Sequence, residues 1–226
     1  MILEFADQQL DALDRLDVDC LVLTAFLDDR PLRGLAGRVD WRLCGRLSSW
    51  MRIGFVDLAP GAALLMPMPA DRLPMQKILL VGMGRRAEFD GVRFDQVCAA
   101  IFRHAAGIGV RDLAMAMPGR IGLDVALRSA VQGLGRAIAT SMDAEAILDL
   151  RLTVLEGIDV QRELGEPLRD MARRLRASAQ QALGVEEEAP DPHAIERQGD
   201  SGPRDWRRGM VRLPPAETND GRLGDL

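Results

Sequence analysis

The sequence predicts an α/β protein: a three-layer α/β/α sandwich around a mixed sheet, with a C-terminal helix and a flexible tail beyond it. Three observations predict it. Apolar runs of strand length recur at residues 18–26, 62–68, 78–81, 113–117 and 148–155. From residue 78 onward they alternate with stretches of helical period, the pattern of strands joined by helical crossovers. With 226 residues, 47% of them hydrophobic, the chain also has enough apolar material for one substantial core.

Each element has its own signal. Val18 to Phe26 is apolar and rich in β-branched residues, bounded by Asp17 and by Asp28-Asp29-Arg30-Pro31, which fits a buried strand. Leu35, Val39, Leu43, Leu47, Trp50 and Met51 follow a period near 3.6 and predict one amphipathic helix over 35–51. The runs 62–68 and 78–81 are joined by a Pro- and Asp-containing connection too short for a crossover, so they should pair antiparallel. Asp90 to Ala106 presents Val92, Phe94, Val97, Cys98, Ile101, Phe102 and Ala105 on one helical face, ended by Gly107-Ile108-Gly109. A strand at 113–117, a helix at 123–142 and a strand at 148–155 follow. Residues 158–183 keep Leu164, Leu168, Met171, Leu175 and Leu183 on one stripe, which predicts a last helix, interrupted or started at Pro167.

From Glu186-Glu187-Glu188 onward the composition turns to Pro, Gly, Asp, Glu and Arg. Such a segment buries too little apolar surface to offset its ordering entropy. The expected organisation is a domain over 1–157, a C-terminal helix over 158–184 and a tail over 185–226.

Composition excludes several function classes. Net charge is −5, with 34 acidic against 29 basic residues, so the overall basic footprint of a nucleic-acid binder is missing. Lys77 is the only lysine, which leaves little for Schiff-base or metal-bridging chemistry. Cys20, Cys44 and Cys98 are odd in number and lack the C-x-x-C spacing of zinc or redox sites. Met1 to Asp7 does not read as a signal peptide, and no apolar run reaches the ~18 residues of a membrane span. A cytoplasmic protein with no cofactor and no membrane partner is the expectation.

Ala59-Pro60-Gly61, the run Lys77-Ile78-Leu79-Leu80-Val81-Gly82-Met83-Gly84 and Leu113-Ala114-Met115-Ala116-Met117-Pro118-Gly119 together resemble the N-terminal, non-catalytic domain of the leucine aminopeptidase family. The resemblance implies a macro-domain-like sheet, since that domain is related in fold to the ADP-ribose-binding macro domains. The peptidase half would require a further domain of ordinary size. Only 66 residues follow Val160, so the resemblance implies a domain occurring without its peptidase partner.

Macro domains place asparagines on the strand matching Val18 to Phe26, to hold the distal ribose. Here Leu23 and Phe26 stand at those positions. Backbone amides at glycine turns can still hold an anion, which makes Gly82, Gly84 and Gly119 the candidate ligand-binding residues. No catalytic or metal-ligating set is found. The histidines are His104, on the 90–106 helix, and His193 in the tail, and neither has a nucleophile at readable spacing. Thr218-Asn219-Asp220-Gly221-Arg222-Leu223 is similar to an aminopeptidase metal signature but lacks its Ala-Glu pair. In the tail, Trp206, Met210 and Leu213, set among arginines, have the composition of docking-peptide anchors. The sequence reading is a non-catalytic module for protein interaction or self-association. Its alternative is a receptor for a nucleotide or ADP-ribose-like ligand at the strand C-termini.

Overall fold

The computed structural model describes residues 1–68, 72–119 and 127–184. The remaining candidate positions, Trp206, Met210, Leu213, His193 and the 218–223 segment, lie outside the described residues.

The chain runs β1 (Ile2–Ala6), α1 (Leu10–Leu13), β2 (Cys20–Ala25), α2 (Gly34–Arg42), α3 (Arg46–Arg52), β3 (Ala63–Pro67), β4 (Lys77–Gly82), a 3-10 turn at Arg86–Glu88, α4 (Gly91–Gly107), β5 (Asp112–Met115), α5 (Leu127–Ser141), α6 (Ala144–Asp149), β6 (Arg151–Leu155) and α7 (Ile158–Leu183). Its six strands form one sheet in the order β1-β6-β5-β2-β4-β3. All neighbours are parallel except β3, which pairs antiparallel with β4. The central strands are apolar because both of their faces are covered. Cys20, Val22, Leu79, Val81, Met115 and Val154 pack under α4, α5 and α7, while Leu21, Leu23, Ile78 and Leu80 pack under α2 and α3 on the opposite face. A three-layer α/β/α fold around a mixed sheet results, as the apolar runs predict.

Three local features differ from the sequence expectations. The helix expected over 35–51 is two helices, because Cys44 and Gly45 both take positive φ, 55° and 76°, and stop the first one. The side chain of Asp40 starts the second, accepting from the Leu47 and Ser48 N–H groups at 2.8 and 3.2 Å and from the Ser48 hydroxyl. The strand expected from 148 begins at Arg151 instead. Asp143 accepts from the Ala146 N–H at 2.7 Å and nucleates α6, in which Leu148 is helical. Finally, β1 is an edge strand that the sequence does not announce.

The C-terminal helix α7 packs on α5, α6 and β1, with Leu164, Leu168 and Met171 in the same core cluster as the strands. Pro167 sits in its interior. At the other edge, the Gly82 N–H donates to Ala62 O and the Met68 N–H to Gln76 O. That parity directs residues 62, 64, 66 and 68 toward β4 and turns the backbone groups of 63, 65 and 67 outward. Pro67, which has no N–H, therefore stands where none is needed.

Candidate functional site

Parallel strands bring their carboxyl ends to one side of the sheet, where open α/β folds form crevices. Here β2 runs on into Phe26, β4 into Met83, β5 into Ala116 and Met117, and β6 into Glu156. With Gln8 after β1, the start of α2 and Val160 of α7, these residues enclose a cavity of about 240 Å³. Its floor is apolar. Val22, Thr24 and Phe26 alternate along β2 onto its side, whereas Leu23 points the other way, into the α2 and α3 layer.

Two buried carboxylates stand in its wall. Asp29, only 6% exposed, accepts from Arg86 Nη2 at 2.7 Å and lies 3.9 Å from Arg33 Nε. The same Arg86 guanidinium lies 4.2 Å from the centroid of Phe26, whose ring meets Phe89 edge-on at 5.2 Å. Next to Asp29, Asp28 accepts from the Arg86 N–H at 3.1 Å, and that hydrogen bond holds its carboxyl below the usual range. The loops after β2 and β4 are thus stapled together through one arginine.

Glu156, 5% exposed, accepts from the Met117 N–H at 3.0 Å, which ties the ends of β6 and β5. Gln161 of α7 donates to the carbonyls of Glu156 and Ala6 at 2.6 and 3.0 Å. Helix α2 begins at this cavity with Arg33 as N-cap and no side-chain cap. Its positive dipole end lies at the mouth, where Arg33 and Arg86 stand against Asp29 and Glu156.

The three candidate glycines separate. Gly119 lines the cavity with φ 68°. Gly82 and Gly84 lie against the 58–60 segment, and a Cβ on Gly82 would stand 2.4 Å from the Leu58 carbonyl carbon. Their N–H groups donate to the Ala62 and Leu58 carbonyls. Sequence reasoning does not single out Asp29, Arg86, Glu156 or Gln8. The available signal is a charged residue directly after the apolar end of a strand, as in Val154-Leu155-Glu156.

Among the described residues, the lining holds no histidine, cysteine, serine or lysine. Among the described residues no three His, Cys, Asp or Glu side chains gather as a metal-ligand set. No described helix is long and apolar enough to cross a membrane.

The sequence profile of the cytosol aminopeptidase family, N-terminal domain, matches residues 22–141, from β2 through α5. The chain belongs to that family. Its aminopeptidase-type N-terminal domain is similar in structure to several macro domains. That of ganglioside-induced differentiation-associated protein 2 has a TM-score of 0.57 at 12% identity, covering 75% of this chain and 82% of the other. The Trypanosoma brucei macrodomain solved in complex with ADP-ribose has 0.55 at 17%, covering 73% and 67%. The macrodomain of Mycobacterium tuberculosis DarG has 0.52 at 16%, covering 69% and 98%. These identities show the shared fold alone. No curated protein matches the sequence.

Proposed function

We propose that this aminopeptidase N-terminal-type domain is a non-catalytic module that works through its surface, in protein assembly. The observation that carries the reading is the outer face of α2 and α3. Trp41, Ile53 and Phe55 are 66%, 69% and 62% exposed, and the Trp50 and Phe55 rings meet at a tilt of 56° with centroids 5.5 Å apart. Tryptophan and arginine dominate binding hot spots, and large apolar groups held in solvent are the material of interaction sites. The cleft, by contrast, is filled from within. Phe26 occupies its floor, Arg86 spans from that ring to Asp29, and the remaining 240 Å³ lies below the ~300–1,000 Å³ of ordinary ligand sites.

The test compares the full chain with a Trp41→Ala/Phe55→Ala variant in sedimentation equilibrium and in capture from native lysate. Both substitutions are at exposed positions, so the fold should survive. Loss of self-association or of a defined captured partner in the variant supports the reading. Unchanged behaviour in both assays overturns it.

One observation favours a second reading, a receptor for an anionic small molecule such as a nucleotide or ADP-ribose-like ligand. The uncapped start of α2 and Arg33 meet at a crevice on the carboxyl side of the sheet. Calorimetric titration with ADP-ribose, ADP and ATP separates the two. Micromolar binding would favour the receptor; absent or millimolar binding leaves the assembly module.

A further inference from the structure

Charge is unevenly distributed on this chain. Its net charge is −5, yet between residues 30 and 52 six arginines, Arg30, Arg33, Arg38, Arg42, Arg46 and Arg52, stand in sequence with a single acid, Asp40, and only Arg33 and Arg42 find acids from outside the stretch among the described residues, Asp29 and Asp14. Asp40 is withdrawn from the surface, because it is buried and occupied with starting α3. Among the described residues, Arg38, Arg46 and Arg52 bond to a glutamine, to no side-chain oxygen and to a serine respectively, and none has a carboxylate partner. The two helices carrying this excess also carry the exposed tryptophan. Beside Trp41, whose ring lies 5.2 Å from the Arg42 guanidinium, a depression of about 820 Å³ is lined by Pro31, Leu32, Trp41, Arg42 and Arg72 among others.

We propose that the α2–α3 face docks an acidic protein segment, one in which carboxylates flank a single large apolar side chain. The inference rests on the assembly reading and names its partner's chemistry. The apolar group enters the depression against Trp41 and Pro31. The flanking carboxylates pair with the arginines of α2 and α3 that have no acid of their own, and guanidinium groups suit this role because their fork accepts a carboxylate through two parallel hydrogen bonds. A basic face on an acidic chain also steers such a segment to this side and repels it elsewhere.

Two features favour a peptide over a nucleic acid. Asp14 stands in the wall of the depression, paired with Arg42. A continuous polyphosphate would run past that carboxylate, whereas a peptide presents its charges at discrete positions. Ile53 adds exposed aliphatic area, which an apolar side chain can cover and on which a nucleobase has no ring to stack.

Fluorescence anisotropy on the full chain tests this. The probes are a pool of fluorescein-labelled acidic peptides, each with one central Leu, Ile or Phe, the same pool with lysine replacing every acid, and a single-stranded oligonucleotide. The acidic pool should bind at least about tenfold more tightly than the lysine pool, and its affinity should fall steeply with added salt. Trp41→Ala should weaken it about tenfold or more. Arg46→Glu should weaken it further while Arg46→Lys preserves most of it, all three variants melting within a few degrees of the parent. Equal binding of both pools, no binding of the acidic pool, an unchanged Trp41→Ala variant, or an oligonucleotide that binds as tightly as the acidic peptides overturns the proposal. Failure of the peptides together with Trp41-dependent capture in lysate would remove the acidic partner and leave the assembly reading intact. Failure of both would remove the two together.

Discussion

Replacing Arg86 by methionine removes the side chain that joins Phe26 and Asp29 at the mouth of the cleft, leaves the backbone N–H that holds Asp28, and has a cost that can be worked from the geometry. The bond from Nη2 to the buried Asp29 Oδ1 is 2.7 Å long, a charge-assisted hydrogen bond contributing about 1.5–3 kcal/mol. The guanidinium over the Phe26 ring adds about 0.5–1 kcal/mol. Removing one partner of a buried ion pair costs about 3–5 kcal/mol when the other charge is stranded. Here two circumstances reduce that figure. The Arg86 side chain keeps 27% of its surface in solvent, and Arg33 Nε, 3.9 Å from the same oxygen, can take over part of the compensation. The expected loss is about 2–3 kcal/mol, or roughly 4–12 °C in Tm for a domain of this size. Urea denaturation followed by circular dichroism at neutral pH measures it. Adding Asp29→Asn to the Arg86→Met variant should restore at least half of the loss, because the stranded charge is then gone. A loss under about 1 kcal/mol, or single effects that add within about 0.5 kcal/mol, would show that the pair does not stabilise the fold as argued.

Leu79 is 2% exposed on β4, so Leu79→Ala should cost about 2–5 kcal/mol through lost transfer energy and the cavity left behind; a value under about 1 kcal/mol in the same denaturation assay would contradict its central place. Burial pushes the Cys20 thiol up to about 11 and the Cys98 thiol higher still, whereas Cys44 is exposed. Near pH 8 an aromatic disulfide reagent should therefore modify one of the three thiols quickly and the others only on unfolding, and two fast thiols would be inconsistent with the core described. Burial also raises the Asp112 carboxyl above its ordinary value of 3.8, against the opposing pull of Arg151. The folded state then holds more protons than the unfolded state as pH climbs through that window, so this group's contribution to stability falls with rising pH and is a cost at neutral pH. Asp112→Asn should be more stable than the parent at pH 7 and lose less stability between about pH 4 and 7; an unchanged or steeper pH profile by thermal melting would contradict the sign.

The parts of the fold that the sequence makes legible are those whose residues answer to one neighbour layer at a time. Ile78-Leu79-Leu80-Val81 and Cys20-Leu21-Val22-Leu23 read as strands because burial on both faces leaves no polar position. The short 67–77 connection similarly forces β3 and β4 antiparallel. The break after α2 is marked in sequence only by Gly45, and the apolar period that runs on through Leu47 and Met51 conceals it, while Cys44 takes positive φ without being glycine. The helix α6 is hidden because its Leu148, and Leu150 just after it, also suit the alternation of the strand that follows. At the site, Gly119 is readable as a turn glycine. The pairing of Asp29 with Arg86 is not, since 57 residues separate them and only the adjacency of β2 and β4 in the sheet brings their loops together. Glu156 is equally opaque, as its acceptor role depends on Met117 of a neighbouring strand.

The outward backbone of β3 has a consequence for how this protein survives at high concentration. A sheet that ends in an open strand is a template on which further strands can grow, and crowded proteins with such margins seed fibres. Here the margin is five residues long, and the proline at its end withholds a donor just where the next strand would need one. Growth from this side would have to proceed on two amides, those of Ala63 and Leu65, too few to register an incoming chain. Pro67→Val, which supplies the missing N–H and favours extended backbone, would turn a closed margin into an open one, and light scattering under mild heating is where the change would show first.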